Sequence, residues 1–399
     1  MTTYSLHPIA IQSQGVNFRA LPPLSLYIHV PWCVRKCPYC DFNSHEARNE
    51  LPEDAYVDAL IRDLEQALPQ VWGRRVYSVF MGGGTPSLLS APALERLLAA
   101  VRMLLPLDAN AEITLEANPG TVEAEKFAGF RAAGVNRLSL GIQSFNDAHL
   151  RALGRIHNAD EAHRAIGIAQ RHFDNINLDL MYALPQQMLA EAERDVRTAL
   201  AYSPQHLSCY HLTLEPNTLF HHQPPPLPDD DASAEMQQRI EQLLAEQGYL
   251  HYETSAFALP GRQSRHNLNY WQFGDYLGIG AGAHSKLSFP DKVMRQARYK
   301  QPQAYMEQVR QGAPVQTEQQ LGVDDLCFEF MMNALRLTEG VPESLFSERT
   351  SLPLLLVRKE LAQAEQRGLL RLEAGRIAPT EQGRVFLNDL LQLFLRDET

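Results

Sequence analysis

Short apolar runs alternate with stretches of helical period through the first half of the chain, and this rhythm constrains the fold more than any other feature. The runs are Leu24 to Val30, Val76 to Met81, Ala111 to Ala117, Arg137 to Ile142, Ile176 to Met181 and His206 to Leu214. Between them, Leu51 to Leu68, Ala91 to Leu105, Glu123 to Ala133, Asp160 to His172 and Ala190 to Tyr202 carry apolar residues at helical spacing. Strand and helix in repeated alternation indicate a parallel sheet with crossover helices. Six such units predict an α/β protein, a partial (β/α)6 barrel of the TIM type, with its site at the C-terminal ends of the strands.

The remainder divides around this core. Residues 1–21 read as a loose N-terminal extension, 22–290 as the barrel with its own extension, and 315–399 as a C-terminal domain. Pro216 to Asp231 reads as a surface excursion in which His221 and His222 are solvated, and Asp229 to Asp231 opens a helix from Ala232 to Gln247. In the last domain Leu326 to Leu335, Glu343 to Ser347 and Pro353 to Gln366 read as helices, then a hairpin follows from Gly368, and Thr380 to Leu395 reads as one closing helix. Helices followed by a small hairpin predict a winged-helix-like module.

Charge narrows the partners. With 36 basic against 47 acidic residues the net charge is −11, which argues against nucleic acid and anionic membranes as ligands. No run approaches the roughly 18 apolar residues of a spanning helix. No basic segment leads into an apolar one at the start. The expectation is a cytoplasmic protein whose membrane association is at most peripheral.

Five cysteines are present, and three of them, Cys33, Cys37 and Cys40, sit in one loop after the first apolar run. An odd number with three bunched is no disulfide framework. A structural zinc site is closed by four ligands, and only three are local here. Three thiolates suit a cubane iron–sulfur cluster with one iron left open to a small molecule. Cys209 and Cys327 stand alone in apolar surroundings and read as small buried hydrophobes.

Later strands end in further polar residues. Gly82-Gly-Gly-Thr-Pro86 follows the second run, and its glycines suit either a tight turn or close approach of backbone N–H groups to a ligand. Glu116, Gln143 and Asp179 fall at the ends of the next three strands, with Arg155 twelve residues beyond Gln143. Such a rim suits a ligand with a carboxylate, which Arg grips bidentately, and with an ammonium and ribose hydroxyls for the acidic and amide groups.

Cys33-x3-Cys37-x2-Cys40, with an aromatic before the last cysteine, and Gly-Gly-Gly-Thr-Pro together resemble the radical S-adenosylmethionine superfamily. More narrowly, from about Leu24 onward, the chain resembles the oxygen-independent coproporphyrinogen III oxidase-like family. The resemblance implies a 4Fe-4S cluster on Cys33, Cys37 and Cys40. It also implies S-adenosylmethionine at the open iron, contacted by Tyr27, Tyr39, Gly83, Gly84, Thr85, Glu116, Gln143, Arg155 and Asp179.

Two departures separate the chain from the oxidases. Phe42 stands where they carry a further cysteine, and 32 residues precede Cys33 where they carry a longer segment. The closer likeness is to the heme-chaperone branch of the family, whose His-Asn-x-x-Tyr-Trp motif stands here as His266-Asn267-Leu-Asn-Tyr270-Trp271. There the resemblance implies heme contacts by His266, Tyr270 and Trp271. An imidazole is a good axial ligand, and the aromatics offer flat faces to a macrocycle. His284 and His29 are expected to line the cofactor pocket and to face the barrel or cluster. The implied partners are heme, a heme-accepting protein and an electron donor to the cluster. The alternative is the oxidase activity itself, radical decarboxylation of a porphyrinogen propionate.

Overall fold

The structure is a computed structural model and describes residues 16–47, 50–121 and 124–395. Strands β1 (Leu24–Val30), β2 (Val76–Gly83), β3 (Leu107–Ala117), β4 (Arg137–Gln143), β5 (Ile176–Tyr182) and β6 (His206–His211) lie side by side in chain order. All of them pair in parallel. Helices α1 (Glu53–Val71), α2 (Ala91–Leu104), α3 (Ala124–Ala133), α4 (Ala159–His172) and α5 (Leu189–Leu200) make the crossovers. This is the expected partial (β/α)6 barrel.

The sheet goes further than the sequence pattern indicated. Asp275–Ile279 adds to β1 as one more parallel strand, and His284–Phe289, Lys292–Arg298 and Val315–Gln320 continue outward in antiparallel pairing. Ala256–Ala258 and Leu250–Glu253 extend the opposite edge beyond β6. Among the described residues the sheet has 12 strands, open between its two outermost ones.

Period-2 alternation within the strands separates core from cavity. Leu24, Leu26, Ile28 and Val30 of β1 are buried in one cluster with Val57, Leu60 and Leu64 of α1. Ile113 and Leu115 of β3, Leu138, Leu140 and Ile142 of β4, and Leu178 and Leu180 of β5 join that cluster. Each such side chain stabilises the fold by about 1.5–3 kcal/mol. The intervening residues are polar: Glu112, Thr114 and Glu116; Arg137, Ser139 and Gln143; Asn177 and Asp179; His206 and Ser208. A barrel interior of that composition is built as a site, since an apolar interior would pack solid.

Helix starts follow their capping residues. The Ser90 hydroxyl accepts from the Ala93 N–H at the head of α2, and Asn158 with Glu161 forms a reciprocal capping box on α4. Cys209 and Cys327 are buried as expected.

Three segments differ in detail from the sequence expectation. Residues 1–15 of the N-terminal extension lie outside the described residues, while the Phe18 ring is buried in the C-terminal core and its N–H donates to the Pro290 carbonyl (2.9 Å). Pro216–Asp231 contains a helical turn, Leu219–His222, whose Phe220 is buried beside Leu153, Met181, Leu184 and Leu212. The Phe220 N–H donates to the Pro38 carbonyl (3.0 Å), so this excursion closes against the cysteine loop. The closing helix is two helices, Glu381–Val385 and Leu387–Gln392, with Phe386 out of helical geometry between them. Gly383 abuts the Leu369 carbonyl so closely that a Cβ would stand 1.9 Å from its oxygen. The break allows that contact while Leu390 and Phe394 turn into the core.

The C-terminal segment runs helix Val323–Ala334, strand Val341–Pro342, helix Glu343–Thr350, a 3-10 turn leading into helix Arg358–Gln366, and hairpin Leu370–Glu373 with Arg376–Pro379. That order of helices, strand and hairpin is winged-helix-like. Ala374 and Gly375 both take positive φ (51° and 71°), as a tight hairpin turn with the right-handed strand twist requires. Its core includes Phe273 and Val293 and packs against Leu268 and Trp271, so this module grips helix Arg265–Trp271, which sits at the starting end of the barrel strands.

Candidate functional site

The cysteine loop is stitched to the glycine loop by backbone. The Gly84 N–H donates to the Val30 carbonyl (2.8 Å) and the Thr85 N–H to the Trp32 carbonyl (2.7 Å). A Cβ on Gly83, where φ is +109°, would meet the His29 ring at 2.3 Å, and one on Gly84 would meet the Trp32 carbonyl oxygen at 2.5 Å. The glycines thus make room first for the protein's own cysteine loop, and their N–H groups are spent within the protein, on the Val30 carbonyl and on Glu116.

His29 is structural. Its Nε2 donates to the Asn43 carbonyl (2.8 Å), which leaves Nδ1 to accept from the Tyr27 hydroxyl (3.0 Å). Asn43 in turn donates to the carbonyls of Ala281 and Lys300 (both 2.9 Å), anchoring the far end of the loop on the sheet extension. Burial lowers the His29 pKa and keeps the ring neutral.

A cavity of about 630 Å³ runs from this loop into the barrel. Cys33, Cys37 and Cys40 line its mouth, and all three are partly exposed. Burial pushes the Cys33 and Cys40 thiols up, opposed at Cys33 by a hydrogen bond from Thr85. Among the described residues no three His, Cys, Asp or Glu side chains converge on a point fit for a single metal ion.

Tyr39, Gly83, Gly84, Thr85, Glu116, Gln143, Arg155 and Asp179 also line the cavity. Tyr27 does not: its ring stacks on Phe80 (6.3 Å), and Phe80 forms the wall.

The rim is electrostatically poised. Arg155 donates to the Gly141 carbonyl (2.8 Å), approaches Cys37 Sγ (3.7 Å) and leaves Nε without a partner. Glu116 accepts from the Gly83 N–H (3.2 Å), and burial with the nearby Asp179 pushes its pKa up to about 8. Asp179, also raised by burial, accepts from Ser139 (3.0 Å) and Asn177 (2.8 Å). Gln143 sits in the left-handed region (φ 66°), a bend in β4 that turns it into the cavity mouth.

The floor is helix Arg265–Trp271. Ser264 caps it, and the Glu112 carboxylate accepts from the N–H groups of Arg265 (3.0 Å) and His266 (3.3 Å). A buried chain of hydrogen bonds joins rim to floor: Asp179, Asn177, His206 (2.6 Å), Tyr252 (2.9 Å) and the Ser264 N–H (3.3 Å).

Of the motif residues on the floor helix, Asn267 faces the cavity. His266 stacks on the back of Phe80 (4.9 Å) with Nδ1 3.3 Å from the Ser78 hydroxyl, and burial, with Arg137 nearby, lowers its pKa to about 3. Tyr270 packs edge-on to Trp271 (4.9 Å), and Arg336 covers the Trp271 ring (4.4 Å). His284 is exposed at the start of its strand. Arg137 and Arg336, which line the cavity near the floor, escaped the sequence reading. Polar residues alternating with Leu138, Leu140 and Ile142 were the signal for the first, and nothing local marks the second.

The barrel, the three-thiol mouth and the polar rim define a radical S-adenosylmethionine protein. Residues 27–199 match the Radical SAM superfamily and residues 321–386 the HemN C-terminal domain. The protein named heme chaperone HemW from Escherichia coli (strain K12) is 51% identical over 94% of this chain and 99% of its own length. Its namesake from Haemophilus influenzae is 49% identical over 95% and 99%. The Bos taurus protein named radical S-adenosyl methionine domain-containing protein 1, mitochondrial, is 36% identical over 92% and 86%. Among solved structures, coproporphyrinogen III oxidase (HemN) from Escherichia coli, described as a radical SAM enzyme, superposes with a TM-score of 0.79 at 26% identity, covering 94% of this chain and 90% of that one. The chain belongs to the HemW family of the radical SAM superfamily. That superfamily implies a 4Fe-4S cluster and S-adenosylmethionine, and three partly exposed thiols beside an arginine with an orphan Nε fit them. No helix among the described residues is long and apolar enough to cross a membrane.

Proposed function

We propose that the chain binds heme and delivers it to an acceptor protein from a radical S-adenosylmethionine scaffold. The observation that carries this is the 51% identity, across almost the whole of both chains, to a protein named heme chaperone. Cys33, Cys37 and Cys40 would hold the cluster. The glycine loop, Tyr39, Thr85, Glu116, Gln143, Arg155 and Asp179 would hold S-adenosylmethionine, with Tyr27 supporting the wall from behind Phe80. When bound and reduced, the cluster supplies an electron for cleaving S-adenosylmethionine.

The heme end is assigned to the floor helix. Burial keeps His266 neutral at physiological pH, and the neutral imidazole is the form that ligates iron. Trp271 and Tyr270 add flat apolar surface beside it. His266 is packed on Phe80, so iron ligation requires the floor helix to shift.

The test is anaerobic cluster reconstitution, followed by hemin titration and a coproporphyrinogen assay on wild type and His266→Ala. Saturable hemin binding that is lost in the variant, with no protoporphyrinogen formed, is the expected result. Turnover to protoporphyrinogen would make the chain an oxidase.

A further inference from the structure

The floor of the cavity holds side-chain nitrogens that have no hydrogen-bond partner among the described residues. Arg137 is 2% exposed, yet its Nε has no hydrogen-bond partner among the described residues, and a Glu112 oxygen stands 4.0 Å away. Arg336 reaches in from the C-terminal module, and its Nε is buried without a partner as well. Trp271 beneath it has a buried Nε1 in the same condition. A buried guanidinium normally spends its fork of five N–H groups on carboxylates or carbonyls, because leaving them dry is costly. Buried Arg137 and part-buried Arg336, each with an orphan Nε, face one cavity with Asn267 beside them and describe a place suited to an anion with paired oxygens.

That place is distinct from the rim. Arg137 and Gln143 begin and end the seven-residue β4, about 20 Å apart at the rise of a parallel strand. The rim residues suited to S-adenosylmethionine cluster at the far end. Acidic neighbours only partly compensate the floor: Glu112 spends one oxygen on the floor helix and holds the other 4.0 Å from Arg137 Nε, beyond hydrogen-bond reach, and Asp179 is held by Ser139 and Asn177.

We propose that Arg137, Arg336 and Asn267 form a carboxylate-binding subsite that takes a propionate arm of the porphyrin cargo. This rests on the heme reading for the identity of the cargo, while the preference for a carboxylate rests on the two arginines at the floor and their unpartnered Nε atoms alone. Arg336 would then couple cargo to the C-terminal module, since its backbone carbonyl accepts from the Thr254 N–H (3.0 Å) and its side chain covers Trp271.

The test compares hemin with hemin dimethyl ester, whose carboxylates are masked, by absorbance titration of the full-length, cluster-loaded protein. Wild type is expected to prefer the free acid. Arg336→Gln is expected to weaken the acid by roughly tenfold to a hundredfold and to leave the ester unchanged, with Arg336→Lys recovering part of the loss. Arg137→Gln is expected to act in the same direction, and if it fails to fold, Arg336→Gln carries the comparison. Equal loss for acid and ester, or no preference in wild type, would overturn the subsite. If wild type binds no hemin in either form, the heme reading fails, and iron-free coproporphyrin against its methyl ester reads the subsite separately. An acid preference abolished by Arg336→Gln would then support it, and no preference would overturn it.

Discussion

The two ends of one cavity are built from different materials. At the rim, polar side chains are partly committed to the protein: Glu116 to Gly83, Arg155 to Gly141, Asp179 to Ser139 and Asn177. Arg155 at the rim keeps one orphan nitrogen, whereas at the floor Arg137, Arg336 and Trp271 each keep one, and the motif helix is pinned through Glu112 and Ser264. The rim follows from strand ends and contiguous loops, as a cofactor site held by a superfamily scaffold should. The floor is assembled from the first residues of strands, a short helix and a distant module.

The largest effect is expected from Cys37→Ser, which removes a thiolate from the rim and should abolish reconstituted cluster, read as iron and sulfide content and visible absorbance. A full cluster in that variant would remove Cys37 from the ligand set. At the floor, Glu112→Ala strips the carboxylate from the motif helix and leaves Arg137 uncompensated. A loss of about 3–5 kcal/mol is expected in urea unfolding, and a change within error would mean that Glu112 does not hold the floor.

Back at the rim, Gly84→Ala drives a Cβ against the Trp32 backbone. A cost of about 1–3 kcal/mol with weaker iron retention is expected, whereas unchanged iron retention would separate the glycine loop from the cysteines. The last effect concerns pH. The folded Glu116 pKa of about 8 lies above its ordinary 4.5, so the folded state keeps the proton longer and this group's contribution to stability falls as pH rises through that window. Glu116→Gln should flatten the slope of stability against pH between those values, and an unchanged slope would place its cause elsewhere.

The same contrast explains what was legible in the sequence. Cysteines at x3 and x2 and a triple glycine are local signals, and the family resemblance added the strand-end residues, so all the named rim residues but Tyr27 fall on one cavity. The six barrel strands were legible because each carries an apolar face, whereas Val315–Gln320 is Val-Gln-Thr-Glu-Gln-Gln, an edge strand with no apolar alternation to betray it. The motif helix at 265–271 has part-buried residues on every side after Arg265 and none fully buried, hence no helical stripe. Its motif marked it as a candidate heme contact without revealing that His266 packs behind Phe80 while Asn267 faces the cavity. Arg336 has no local signal, because its role exists only once the C-terminal module docks on Trp271.

The separation of rim from floor is tested most directly by crossing two variants with two ligands, measuring iron–sulfur loading and hemin affinity in Cys37→Ser and His266→Ala side by side. Cys37→Ser is expected to lose the cluster and still bind hemin, and His266→Ala to keep the cluster and lose hemin. Loss of both ligands in both variants would contradict two stations in one barrel and leave a single, indivisible site.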